Sequence, residues 1–447
     1  MIATNNEFGS RPRLNIAVIG SGISGLSAAW LLSQRHDVTL FESESRLGGH
    51  CNTVDVDDVA VDTGFIVYNE ATYPNLTALF RHLGVATKIS NMSFAVSLDD
   101  GRLEYCGTGL KGLFAQSRNA ISPRFWGMLR DLVRFYQSAP KDMPHLGTCT
   151  LGEYLTASNY GKAFRDDHLY PMAAAIWSTP AAEIGNYPAD AFIRFCANHG
   201  LLKLVGRPIW RTVVGGSRTY VRHLAGVIPD IVSGCPVKKV LRGAGRVEII
   251  VKNGQKRRFD HAVIATHADQ ALAMLANPTS VERLLLGAFS YIDNEAVLHT
   301  DVRLMPRQRK VWSSWNYLSR DSDASRKVGV SYWMNRLQDF AHEVPLFVTL
   351  NPPCDLRAGT LLRHTSYRHP RMNTVSLAAQ RRLWSLQGVG NTWFCGAYFG
   401  SGFHEDGLQA GLAVAEALGG QRRPWRVADE SARICLQTHL QTAMEQA

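Results

Sequence analysis

Asn15-Ile16-Ala17-Val18-Ile19-Gly20-Ser21-Gly22-Ile23-Ser24-Gly25-Leu26-Ser27-Ala28-Ala29-Trp30-Leu31-Leu32 reads as strand, tight turn and helix. The β-branched run predicts the strand. Gly20 permits the sharp turn, Gly22 lets the backbone approach a pyrophosphate, and Gly25 lets helix and strand pack closely, with helix N-terminal amides facing the phosphates. Ile23 and Ser24 supply amides of that first turn. Val38-Thr39-Leu40-Phe41 predicts a second strand ending on Glu42, whose carboxylate is expected to accept hydrogen bonds from the adenosine ribose.

Two further signals follow. Arg46-Leu47-Gly48-Gly49-His50 carries a glycine pair able to pass against a flat ring, and Asp62-Thr63-Gly64-Phe65 lies beyond it. Glu42-x-x-x-Arg46-x-Gly48-Gly49 together with Asp62-x-Gly64-Phe65 resembles the FAD-binding N-terminus of the flavin amine oxidase, phytoene desaturase and protoporphyrinogen oxidase superfamily. The resemblance implies FAD rather than NAD. It also implies an α/β fold, in which a Rossmann-type FAD-binding domain is intertwined with an α+β substrate domain.

The resemblance extends along the chain. Pro171-Met172-x-x-x-Ile176-Trp177-Ser178, Arg207-Pro208-x-Trp210-Arg211-Thr212-Val213-x-Gly215-Gly216-Ser217-Arg218, and Phe394-Cys395-Gly396-Ala397 with Gly402-Phe403-His404-Glu405-Asp406-Gly407-Leu408 look like one bacterial branch. Members of that branch are associated with methyltransferases of the cyclopropane-fatty-acyl-phospholipid synthase type, and include the desaturase of furan fatty acid biosynthesis. Polyunsaturated fatty acid isomerase is a more distant likeness. Amine oxidases carry an acidic residue after the glycine matching Gly396, where this chain has Ala397, and their active-site lysine and aromatic cage find no match.

By this resemblance the cofactor is held by Gly20, Gly22, Ile23, Ser24, Gly25, Glu42, Ser43, Arg46, Gly48, Gly49, His50, Gly64, Phe65, Val237, Thr266, Gly396, Glu405, Asp406 and Leu408. Val237 borders the adenine and Thr266 ends the run that closes the sheet. Helix amides at Asp406 to Leu408 are expected to face the flavin pyrimidine edge and stabilise negative charge. His50, His404 and Glu405 are the candidate catalytic groups; a structural role in fixing those turns is the alternative.

The remaining chain bounds the partners. Its 447 residues and 45% hydrophobic content suit two domains, placed at 1–88, 215–284 and 390–447 for FAD binding and at 89–214 and 285–389 for substrate. Eight scattered cysteines lack a Cys-x-x-Cys pair and fifteen histidines lack metal-type pairing, so neither a disulfide framework nor a metal site is expected. With no basic-then-apolar leader, the expected address is the cytoplasm. A net charge of +10 without a nucleic-acid motif points to an anionic membrane surface, reached from the inner face, or simply to solubility.

Ser122-Pro123 predicts a helix start, and Phe125, Leu129, Leu132, Val133 and Tyr136 then share one side, with Arg124, Arg130 and Arg134 toward the other. That helix reads either as packed on a domain core or as lying in a membrane interface. Pro74 to Leu83 predicts another helix, Asn253-Gly254 a hairpin, Val311 to Tyr317 a strand, and Pro345 an edge strand within 344–350. Residues after Gly420 suggest a polar helical tail. The apolar segments 169–177 and 207–210 are expected to line a tunnel for an acyl chain, or to be plain core. The sequence leads to an FAD-dependent desaturase of a fatty acyl chain carried on phospholipid, with a double-bond isomerase and a non-catalytic lipid-presenting flavoprotein as alternatives.

Overall fold

The computed structural model describes residues 12–177, 180–203, 206–243, 245–319 and 329–436. Ser178, the last residue of one motif above, and Val328 lie outside them. The chain divides into two compact units, Met1–Gly49 with Val221–Gly287 and Arg382–Ala447, and His50–Tyr220 with Ala288–Arg381.

In the first unit the strands Asp230–Val232, Asp37–Phe41, Asn15–Ile19, His261–Ile264 and Thr392–Phe394 lie side by side in that order, all parallel. Parallel strands covered on both faces read as continuous apolar runs rather than as alternation. Ile16, Ala17 and Val18 accordingly have no exposed surface. The helix Ile23–Leu32 is buried along its whole length, and the helix His404–Ala417 packs on it. A side-chain carbon on Gly411 would stand 2.2 Å from the Ser24 carbonyl oxygen, so glycine is required where the two helices meet. Val237–Gly243, Arg246–Val251 and Lys256–Phe259 form a separate antiparallel sheet, with Gly254 in the left-handed region at the hairpin turn.

The second unit holds a mixed sheet ordered Leu361–Arg371, Ser290–His299, Phe347–Leu350, Gly329–Trp333, Trp315–Leu318, Phe94–Leu98 and Leu103–Cys106. Smaller sheets and a helical layer accompany it. Pro345 does not mark an edge: the strand Phe347–Leu350 starts two residues later, so the proline never enters the ladder and the strand sits inside the sheet. The strand expected at 311–317 forms at Trp315–Leu318 instead, because Arg309–Val311 closes a 3₁₀ turn first.

The units also depart from the sequence partition, with changes of unit after Gly49, Tyr220, Gly287 and Arg381. Residues 50–88 belong to the second unit, since Val67–Asn69 and Thr87–Ser90 pair with Trp210–Val213. The segment after Gly420 contains no helix within the described residues. There Arg423 is buried and its guanidinium is held by the Glu416 carboxylate at 2.8 and 2.9 Å, while Trp425 stacks on Trp30. Among the described residues no helix is long and apolar enough to cross a membrane, and no cluster of metal-ligating side chains occurs.

The expected helix after Ser122 spans Pro123–Asp142, and the Ser122 hydroxyl caps it by accepting the Phe125 N–H at 3.3 Å. It is a core helix rather than one lying freely at a surface. Phe125, Met128 and Phe135 are buried, Arg124 forks onto Asp167 at 2.7 and 2.9 Å, and Arg134 lies over the Tyr160 ring.

Candidate flavin and substrate sites

Within the first unit the fingerprint glycines have distinct physical roles. Gly20 sits at φ +102°, and a side-chain carbon there would meet the Ala265 carbonyl oxygen at 2.8 Å. One on Gly25 would meet the Gly20 carbonyl at 1.8 Å, so helix and strand touch backbone to backbone. Gly22 is different: nothing lies within 4 Å of the same position. Its missing side chain opens space in front of the helix, and the helix's first turn has no side-chain cap. Open room facing uncapped amides is what a pyrophosphate needs, and the residues present fit the dinucleotide.

Ser21, unnoticed in the sequence, ties three segments of this site together. The Glu42 carboxylate accepts its N–H at 2.9 Å and its hydroxyl at 2.6 Å, and the Ser21 carbonyl accepts the Gly48 N–H at 3.0 Å. Glu42 also accepts the Ser43 hydroxyl and the Glu44 N–H, both at 2.9 Å. Burial works against ionisation of Glu42, but these hydrogen bonds outweigh it and hold the carboxyl below its usual range. Arg46 donates to the Gly49 carbonyl at 2.8 Å, and a side-chain carbon on Gly49, at φ +57°, would lie 3.2 Å from the Gly22 Cα. The Arg46 to Gly49 loop is therefore laid directly on the fingerprint turn.

At the far edge of the sheet, Gly396 is buried, and Thr266 ends its strand run with its hydroxyl donating to the His267 carbonyl at 3.2 Å. In the helix that follows, Leu408 is buried and Asp406 accepts the Phe403 N–H at 2.7 Å while pairing with Arg433. Burial raises the Asp406 carboxyl above its ordinary value, against the pull of Arg433. Glu405 is buried and accepts from the Gln409 side chain at 3.0 Å. Gly407 donates to the Phe403 carbonyl, so its amide is spent inside the helix, and of the expected 406–408 amides that of Asp406 lies ahead of this bond, in the first turn. Val237 starts the antiparallel sheet, half-buried at its pairing with Val251.

In the second unit Gly64 and Phe65 close on His50. The Phe65 N–H donates to the His50 carbonyl at 2.8 Å, and a side-chain carbon on Gly64 would lie 2.0 Å from that oxygen. The His50 ring stacks on Tyr367 at 5.1 Å between centroids and lies 5.6 Å from His369. Tyr367 in turn receives the Asn52 amide at 3.0 Å, and the Asn294 side-chain amide meets His369 Nδ1 at 3.1 Å. Neither Tyr367 nor His369 was legible in sequence, because both lie in the edge strand Leu361–Arg371, whose Pro370 argues against a strand there. Asp62 is fully buried; it accepts the Ser217 N–H and hydroxyl and the Thr53 hydroxyl, and so anchors the Gly215-Gly216-Ser217 turn. Burial pushes its carboxyl up to about 6 despite those bonds.

The expected acyl wall is mixed. Trp177 packs on Tyr187, Phe192 and Phe195, and Ala173, Ala174 and Ala175 are core residues. Tyr170 and Ile176 keep partial exposure. Before this helix, Arg165–Leu169 forms one π turn carrying His168, which is buried and neutral; burial, with Arg207 nearby, lowers its pKa to about 4.

A family model described as flavin containing amine oxidoreductase matches residues 23–299, more than half of the chain. The protein belongs to the flavin-containing amine oxidoreductase family, and FAD is its cofactor. Over 74 residues it is 38% identical to protoporphyrinogen oxidase 2, chloroplastic/mitochondrial, of Arabidopsis thaliana, covering 16% of this chain and 14% of that protein. Over 52 residues it is 44% identical to 4,4'-diapophytoene desaturase (4,4'-diaponeurosporene-forming) of Staphylococcus aureus, covering 11% and 10%. These matches span only a small part of either relative. Among solved structures, wild-type putrescine oxidase bound to putrescine superposes with a TM-score of 0.66 at 15% identity, over 91% of this chain and 99% of that one. The CLA-producing fatty acid isomerase from P. acnes superposes at 0.63 and 16%, over 91% and 98%. At such identities the superpositions establish the shared fold.

Proposed function

We propose that this FAD-dependent oxidoreductase removes two hydrogens from a fatty acyl chain, one that is joined to phospholipid and methyl-branched. The observation that carries the reading is the state of the buried acids in the second unit. Asp62 is held by Ser217 and Thr53, Glu104 by Ser97 and the Arg307 and Gln308 amides, Asp131 by the Gly161 amide, Asp167 by Arg124 and Asp301 by Arg303. Each carboxylate is engaged by its own chain. An ammonium substrate needs an anion or an aromatic cage to offset its desolvation, whereas acyl methylenes need only apolar area, at about 25 cal/mol per Å².

When bound, FAD supplies the hydride acceptor at N5. The chain must align one C–H with that acceptor, keep water out, and take a proton from the neighbouring carbon. In this reading His50 takes the proton, with Tyr367 and His369 setting its ring plane, while His404 and Glu405 position the closing helix. A methyltransferase of the cyclopropane synthase type is the partner that this substrate implies, and the inner face of the membrane the place.

Lipid mass spectrometry of cells with and without the protein, with such a methyltransferase present, tests the assignment. The product is expected to be two hydrogens lighter. A product of unchanged mass with a moved double bond contradicts desaturation and supports the isomerase.

A further inference from the structure

The segment 107–130 combines two features. It contains Lys111, Arg118, Arg124 and Arg130 and no acidic residue. It also exposes large apolar side chains: Ile121 is 84% exposed, Leu110 74% and Trp126 51%. These belong to one patch. Phe114 follows Leu110 by one helical turn, its ring lies 5.4 Å from that of Trp126, and the Trp126 indole N–H donates to the carbonyl of Ala120, next to Ile121, at 2.8 Å. Two neighbouring acids are covered, Asp167 neutralised by Arg124 and Asp131 buried against the Gly161 amide at 2.7 Å, while Asp166 and the Arg102-paired Asp99 keep partial exposure. Lys111 and Arg130 project into solvent.

We infer that this patch docks the protein on an anionic phospholipid surface. Apolar side chains this exposed suit insertion into a fluid layer, and a tryptophan whose N–H is already satisfied enters an interface without stranding a donor. The solvent-facing cations, Lys111 and Arg130, match lipid phosphates. The long helix takes part only through Trp126 and Arg130, since its other aromatic face is committed to the core. The inference goes beyond the acyl-chain reading and is tested without turnover, so either can fail alone.

The test is sedimentation of the full-length, FAD-loaded protein with vesicles of phosphatidylcholine, with and without phosphatidylglycerol. The protein is expected to bind the phosphatidylglycerol vesicles, and to release as salt rises. Leu110→Glu with Ile121→Glu is expected to weaken binding by about tenfold or more with an unchanged flavin spectrum. Lys111→Gln with Arg130→Gln is expected to weaken binding and flatten its salt dependence, and Leu284→Glu, an exposed position elsewhere, to change nothing. Equal binding to both vesicles, no binding, undiminished binding by either double variant, or an equal loss in Leu284→Glu overturns the inference.

Discussion

The Glu42 carboxylate accepts both the backbone N–H and the hydroxyl of Ser21, at 2.9 and 2.6 Å, and thereby joins the end of the second strand to the fingerprint turn. With the Ser43 hydroxyl and Glu44 N–H added, four donors fill the four lone-pair positions of the carboxylate. A ribose hydroxyl can enter only if one donor leaves, and the Ser43 hydroxyl is the one free to rotate. Ser43→Ala is therefore expected to leave FAD affinity unchanged or tighter. Ser21→Ala and Glu42→Gln each break the junction and are expected to weaken FAD by roughly 10- to 100-fold, about 1.5–3 kcal/mol for a hydrogen bond to a charged group. Fluorescence quenching of FAD titrated into apoprotein measures this; equal losses for Ser43→Ala and Ser21→Ala would reject the assignment.

The three fingerprint glycines are expected to separate folding from binding. Gly25→Ala places a carbon 1.8 Å from the Gly20 carbonyl oxygen, so the apoprotein should lose stability outright. Gly22→Leu enters open space, and the apoprotein should melt as the parent does while flavin content collapses. Thermal melting of both apoproteins, beside flavin absorbance, decides it. A stable, yellow Gly22→Leu protein would mean the pyrophosphate lies elsewhere.

Acid should destabilise the protein through two buried neutral histidines. His299 and His168 have pKa values lowered by burial from 6.5 to about 4, with Thr349 bonded to His299 at 2.7 Å. Between those values the unfolded chain binds protons that the folded chain refuses. The stability set by these two groups is thus full above pH 6.5, falls as pH drops toward 4, and changes no further below. His299→Gln is expected to flatten part of that slope in melting curves recorded from pH 7.5 to 4. An unchanged slope would mean that His299 is not a source of it.

What the sequence revealed was local and periodic. The strand from Asn15, the turn glycines and the cap at Ser122 are written in neighbouring residues, and the strands Asn15–Ile19 and Asp37–Phe41 are apolar runs that end at Gly20 and Glu42. What it hid was pairing across distance. Residues 50–88 look like a continuation of the nucleotide segment until Val67–Asn69 pairs with Trp210–Val213, more than a hundred residues later. Tyr367 and His369 meet His50 only because an edge strand containing Pro370 runs beside it. The helix after Ser122 shows the limit of amphipathic reading, since Arg124, on its polar side, is consumed by Asp167 from a different helix turn. Ser21 was legible in principle: a hydroxyl between the first two glycines, facing an acid at the second strand's end, has one obvious partner.

The acyl-chain assignment is tested most directly by anaerobic mixing of the purified, oxidised holoenzyme with candidate substrates while the flavin absorbance is followed. The account predicts that phospholipids with long methyl-branched acyl chains bleach the oxidised band, that shortening the chain weakens the response progressively, and that simple amines leave it intact. Rapid bleaching by amines, with none by any acyl lipid, would contradict it and return the protein to amine oxidation.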